Sequence, residues 1–114
     1  MQVIINKVGN MPVAMLKGSM DALTSPDVKN QFLSALDPVL PLLIIDCSLL
    51  DYISSAGIRV LYQVARTLAD WHGELILCSP TEVVSEIFNM VGMDSDFRIF
   101  RHLDEALAYV NGKN

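Results

Sequence analysis

The sequence has no long apolar run, although 52% of its 114 residues are hydrophobic. None approaches the roughly 20 residues that a membrane-spanning helix needs. The first residues, 1–7, also lack the basic start and apolar core of a signal peptide. We therefore expect a cytoplasmic protein without a membrane span and with enough apolar residues for a buried core.

Basic residues are few and scattered. Lys and Arg number 8 against 13 Asp and Glu, which leaves a net charge of −5. Binding to a nucleic-acid backbone needs clustered Lys and Arg that neutralise phosphates. Because no such cluster is visible, the composition argues against a nucleic-acid partner.

Cysteine is scarce as well. The only two cysteines, Cys47 and Cys78, follow apolar runs and lack the spacing of metal ligands. We predict that both are buried small hydrophobic residues, and we expect neither a metal site nor a cofactor.

Catalytic motifs are also missing. The chain contains no P-loop, no GxGxxG dinucleotide fingerprint and no GxSxG nucleophile elbow. Neither His72 nor His102 has sequence neighbours that would complete a triad or a zinc site. We therefore expect that the protein is not an enzyme.

Apolar periodicity and turn residues predict strands that alternate with helices. A helix is predicted after Ser25, after Ser55, after the capping segment 79–82 and near His102, with Gly73 as the stop of the second. The order ββαβαβαβα predicts an α/β fold, with a mixed, mostly parallel five-stranded sheet and four helices in one domain spanning 1–114. The predicted strands are 2–8, 12–17, 42–45, 74–78 and 97–100.

Polar residues follow two of these strands, at the edge where parallel α/β sheets place their functional sites. Asp21 follows the second strand, and a predicted loop from Asp46 to Asp51 follows the third. Carboxylates near serines fit metal-assisted phosphoryl chemistry, so a hydrolase built on these acids is one alternative. Acids in such loops are also ordinary turn residues, and that interpretation stays open.

Ser54 and Ser55 stand where the second helix is predicted to begin. A helix start offers unpaired N–H groups and a partial positive charge, which suit a phosphate on a serine. Serines at this place are also ordinary N-caps, so the pattern alone leaves both interpretations open.

One face of the second helix carries residues typical of protein interfaces. Ser55, Arg59, Tyr62 and Arg66 follow one another at helical spacing, opposite the apolar stripe. Arg and Tyr are enriched among residues that dominate binding energy. The pattern predicts an exposed docking face, although a merely solvated face has the same spacing.

Three segments in register resemble the STAS domain family, and in particular its stand-alone bacterial anti-sigma factor antagonists. They are Leu16–Thr24, Ile45–Ile58 and Val84–Ala106. The resemblance implies that Ser55 is the phosphoacceptor, since it lies two positions before Gly57. This chain departs from many members by having Ser54 where they have Asp, and Ala56 where they have Ser or Thr.

The resemblance implies a partner-switching function without a cofactor. The unphosphorylated protein would bind an anti-sigma factor of the GHKL serine kinase type, so that the sigma factor is released. Phosphorylation of Ser55 would turn this binding off. A PP2C-type phosphatase would remove the phosphate and restore binding. Alternatives are a nucleotide-binding or lipid-binding module, or a scaffold subunit of a signalling or lipid-transport complex. The predicted partner-binding residues are Asp21, Asp51, Ser54, Ser55, Ala56, Gly57, Arg59, Tyr62 and Arg66.

Overall fold

A computed structural model describes residues 1–112 and places five strands in one sheet. The strands follow chain order across the sheet, and the first is antiparallel to the second while all later pairs are parallel. This confirms the predicted mixed, mostly parallel sheet. The strands are β1 (Gln2–Val8), β2 (Met11–Met20), β3 (Leu42–Ile53), β4 (Glu74–Cys78) and β5 (Arg98–Phe100).

The described residues form five helices, one more than predicted. The extra helix, α4, is a single turn, too short to produce a periodic apolar pattern. The last two residues of the predicted domain range 1–114 lie outside the described residues. The helices are α1 (Ser25–Ala35), α2 (Ser55–Asp70), α3 (Glu82–Met90), α4 (Met93–Asp96) and α5 (Leu103–Asn111).

The sheet has a hydrophobic core on each face. The larger core lies under α1, α2, α3 and α4, and the smaller one lies under α5. Cys47 belongs to the larger core and Cys78 to the smaller, which confirms that both are buried. Burial raises the pKa of both thiols, that of Cys78 to about 11. No helix within residues 1–112 is both long and apolar enough to cross a membrane.

The third strand is much longer than predicted. It continues to Ile53, so the expected loop from Asp46 to Asp51 is wrong and these residues lie within β3. Pairing with β4 ends at Asp46, whereas pairing with β2 continues to Ile53 through two register shifts. Because the far part of β3 has a strand neighbour on one side only, it can carry exposed polar residues that read as a loop.

The second strand also runs beyond its predicted end, from residue 17 to Met20. Together, the extended parts of β2 and β3 form a two-stranded ribbon that projects past β4. Thr81, the N-cap of α3, donates its hydroxyl to the Leu50 carbonyl at 3.3 Å and so ties α3 to this ribbon. The predicted capping segment 79–82 therefore does contain the N-cap of α3, and the capping residue is Thr81.

The end of α2 differs from the prediction in a specific way. The left-handed residue is His72, with φ of 61°, rather than Gly73. The N–H groups of His72 and Gly73 bond to the carbonyls of Ala69 and Leu68, which is a Schellman motif. Gly73 is needed for space, since a Cβ there would lie 1.8 Å from the Pro41 carbonyl oxygen.

We therefore expect Gly73→Ala to lower the free energy of unfolding by about 1–3 kcal/mol, because backbone must move to admit the methyl group. Gly112→Ala is the matched control, since its Cβ would meet no atom closer than 3.5 Å. It should change stability by less than about 0.5 kcal/mol. Urea unfolding of both variants measures the difference, and equal stabilities would contradict this account.

Candidate functional site

The candidate site lies where β2 and β3 end and α2 begins. The Ser54 N–H donates to the Met20 carbonyl at 2.8 Å, which continues the pairing of the two strands into the helix start. Gly57 is buried, and a Cβ on it would lie 2.7 Å from Ile53 Cγ1 and 3.0 Å from Met20 Cγ. Gly57 therefore lets α2 approach the strand ends. Gly57 is buried, and its place among the predicted partner-binding residues stays a prediction.

The two serines at the helix start have different roles. Ser54 is the N-cap, and its hydroxyl accepts a hydrogen bond from the Gly57 N–H at 3.3 Å. Ser55 is the first helical residue and is exposed, and its hydroxyl has no hydrogen-bond partner within residues 1–112. Capping is thus performed by Ser54, which leaves the hydroxyl of Ser55 open to chemistry from outside.

Asp21 organises the loop between β2 and α1. Its Oδ1 accepts the N–H groups of Leu23 and Thr24, each at 3.0 Å, and the Thr24 hydroxyl at 3.2 Å. These bonds, that of the Thr24 N–H foremost, hold the Asp21 pKa below its usual value. The helix cap is Thr24 rather than Ser25, which lies inside α1. Asp21 therefore has a clear structural role.

The other two acids do not join Asp21 in a common site. Asp46 is only 5% exposed, and its register partner Cys78 places it on the α5 face of the sheet. Its Oδ1 accepts the Ser48 N–H at 2.9 Å. Asp51 is exposed on β3. Because residues 1–112 contain no group of three or more acids, His or Cys that could hold a metal ion, the hydrolase alternative has no ligand set here.

The outer face of α2 is only partly as predicted. Arg59 and Arg66 are exposed, and neither has a carboxylate within 4.0 Å in the described part of the chain. Tyr62 is half-buried, so it is less exposed than the predicted outer face implied. Its ring lies edge-on to Phe97 with centroids 5.0 Å apart, and its hydroxyl donates to Asp96 at 2.6 Å. Tyr62 therefore anchors α2 to α4.

Sequence reasoning missed two residues beside this site. Leu23, two residues after Asp21, is 91% exposed, and no pattern marked it because it lies in a loop. Lys29 on α1 shares a groove with Arg59 on α2. The two residues are far apart in sequence, so their proximity is seen only once the two helices pack together. We call this the α1–α2 groove; its lining includes Ala22, Pro26, Lys29, Ala56, Arg59 and Gln63.

A family model for the STAS domain matches residues 2–106. This match spans nearly the whole chain, so the chain belongs to the STAS domain family. The resemblance seen in the sequence is thereby confirmed.

A protein from Bordetella bronchiseptica, BtrV, is 32% identical over 108 residues, covering 95% of this chain and 93% of BtrV. BtrV is provisionally described as an anti-sigma factor antagonist.

Solved structures share the fold. An anti-sigma factor antagonist from Mycobacterium paratuberculosis has a TM-score of 0.87 at 21% identity, covering 96% of this chain and 93% of that one. The unphosphorylated antagonist SpoIIAA has a TM-score of 0.81 at 20% identity, covering 97% of each chain. Phosphorylated SpoIIAA from Bacillus has a TM-score of 0.72 at 18% identity, covering 96% of this chain and 99% of that one.

The division of roles between the serines predicts that alanine destabilises the protein at position 54 but not at position 55. Ser54→Ala should cost about 1 kcal/mol of stability, because the Gly57 N–H loses its capping oxygen. Ser55→Ala should change stability by less than about 0.5 kcal/mol, because its hydroxyl makes no bond and alanine favours helix. Chemical denaturation of the pair checks this, and a larger loss for Ser55→Ala than for Ser54→Ala would reverse the assignment.

The contact between Tyr62 and Asp96 predicts a loss of stability at high pH. The hydrogen bond to the Asp96 carboxylate raises the pKa of Tyr62 to about 12. Because an unfolded tyrosine titrates near pH 10, the stabilisation is complete below that pH and is lost as pH rises towards 12. Denaturant midpoints measured across this range should fall less in Tyr62→Phe than in wild type. Tyr52→Phe is the control, because the Tyr52 side chain is exposed and its hydroxyl has no partner within residues 1–112. Its denaturant midpoint should fall with pH as steeply as that of wild type.

Proposed function

We propose that this chain is an anti-sigma factor antagonist, a protein-binding switch controlled by phosphorylation of Ser55. In the unphosphorylated form it binds an anti-sigma factor of the GHKL serine kinase type, so that the sigma factor is released. Phosphorylation by that kinase ends binding, and a PP2C-type phosphatase restores it. Support comes from membership of the STAS family and from 32% identity to BtrV over 108 residues.

The observation that carries the proposal is the state of the Ser55 hydroxyl. It is exposed and makes no hydrogen bond within residues 1–112, so a kinase can reach it without breaking structure. A phosphate at the first residue of α2 would face the positive end of the helix dipole, where a negative charge is tolerated or favourable. Phosphorylation is therefore compatible with an unchanged fold.

The surroundings of Ser55 explain why a phosphate would alter binding. It would add about −1.5 to −2 charges at pH 7 to the face formed with Arg59 and Arg66. A partner complementary to that face would then meet repulsion and an added desolvation cost. We propose that the partner covers the exposed members of the predicted set, with Gly57 acting only by positioning α2. These exposed and half-buried residues are Asp21, Asp51, Ser54, Ser55, Ala56, Arg59, Tyr62 and Arg66.

The test uses each GHKL-type serine kinase encoded in the source genome, purified and titrated by calorimetry. We expect one to bind wild type and Ser55→Ala equally, and Ser55→Asp at least about tenfold more weakly, because a charge at an interface centre costs more than 1 kcal/mol. With ATP, mass spectrometry should place the phosphate on Ser55 and not on Ser54.

Controls separate binding from folding. Ser55→Asp should melt within a few degrees of wild type, since a helix start accepts negative charge. Arg66→Ala should weaken binding by about 1–2 kcal/mol if α2 presents the interface. Binding by none of the kinases, or wild-type affinity in both Ser55→Asp and Arg66→Ala, would contradict the proposal. A melting shift with nucleotides or lipids would then favour the small-ligand alternative.

A further inference from the structure

The α1–α2 groove lies beside the first turn of α2 and has a volume of about 270 Å³. Its walls carry one cation from each helix, Lys29 and Arg59, and the Gln63 amide lies farther along α2. Ala22, Pro26 and Val60 supply apolar surface to the same groove. The groove therefore combines a small apolar lining with two positive charges.

Both cations lack a negative partner within the protein. No carboxylate lies within 4.0 Å of Lys29 or Arg59 among residues 1–112. Within the described part of the chain the two cations are unpaired even though acids outnumber bases in the sequence, 13 to 8. Lys29 is also half-buried, so part of its hydration is already lost. An external anion would gain two charge-assisted hydrogen bonds without first displacing an internal carboxylate.

The shape and lining of the groove indicate what kind of anion it receives. Its lining residues include no aromatic ring on which a nucleobase could stack. Its small apolar surface suits a short aliphatic stem that ends in a charged group, and a guanidinium binds a carboxylate in a bidentate fashion. An aspartate or glutamate side chain from a protein has both features.

The groove is continuous with the face that contains Ser55. Arg59 lies one turn from Ser55 on α2, and Ala56, the next residue after Ser55, lines the groove. A protein that covers Ser55 would therefore reach Lys29 without needing a separate contact area.

We propose that the α1–α2 groove is a docking pocket for an acidic side chain of the anti-sigma factor partner, held between Lys29 and Arg59. This inference rests on the proposed function. It adds α1 to an interface that the sequence pattern placed on α2 and the strand ends, and it makes Lys29 a specificity-determining residue.

The test compares two lysines in calorimetric titrations with the kinase that binds wild type. Lys29→Met removes the charge and keeps an aliphatic stem, and we expect it to weaken binding about tenfold. Lys29→Glu should weaken it further by repulsion. Lys7→Met and Lys7→Glu are matched controls on β1, at the opposite end of the sheet, and should bind as wild type does.

Salt separates a charge contact from a structural effect. At about 1 M salt the Debye length is about 3 Å, so the affinity difference between wild type and Lys29→Met should shrink. Wild-type affinity of Lys29→Met, alongside weakened Ser55→Asp, would overturn the docking pocket and leave the proposed function standing. A loss in Lys29→Met that does not change with salt would also overturn it. Failure of wild type to bind any kinase would remove the proposed function itself.

Discussion

The close approach of α2 to the ends of β2 and β3 is the constraint on which the site depends. It exists because residue 57 has no side chain, since a Cβ would come within 2.7 Å of Ile53 and 3.0 Å of Met20. The bond from the Ser54 N–H to the Met20 carbonyl, at 2.8 Å, joins the helix start to the sheet. The position of Ser55, and hence the surface that it shares with Arg59 on α2, follows from this packing.

Local patterns predicted the parts of the structure that depend on local physics. The alternation of strand and helix periods placed every strand of the sheet and four of the five helices of the described chain. The start of α2 at Ser55 was predicted because capping residues and apolar spacing agree there. The antiparallel pairing of β1 with β2 is the arrangement that a connection of only two residues, 9–10, allows.

Features that arise from distant contacts could not be predicted in this way. The length of β3 is set by its pairing with β2 beyond the end of β4. The residues of segment 46–51 carry no local pattern that predicts this pairing. Tyr62 was expected to be exposed because its helical position is opposite the apolar stripe. Its contact with Asp96, 34 residues later, decides otherwise. The groove between α1 and α2 likewise exists only once the two helices pack together.

The separation of roles between Ser54 and Ser55 has an evolutionary consequence. The fold requires both Ser54 and Gly57. Ser54 caps α2, and Gly57 lets α2 pack closely against the strand ends. Position 55 carries no such burden, so exchange among Ser, Thr, Ala and Asp there leaves the fold nearly unaffected. If Ser55 is the switch residue that we propose, a lineage of such chains can gain, lose or permanently mimic this regulation by a single substitution. The proposed regulation could then differ between duplicated copies of the protein while their fold stays the same.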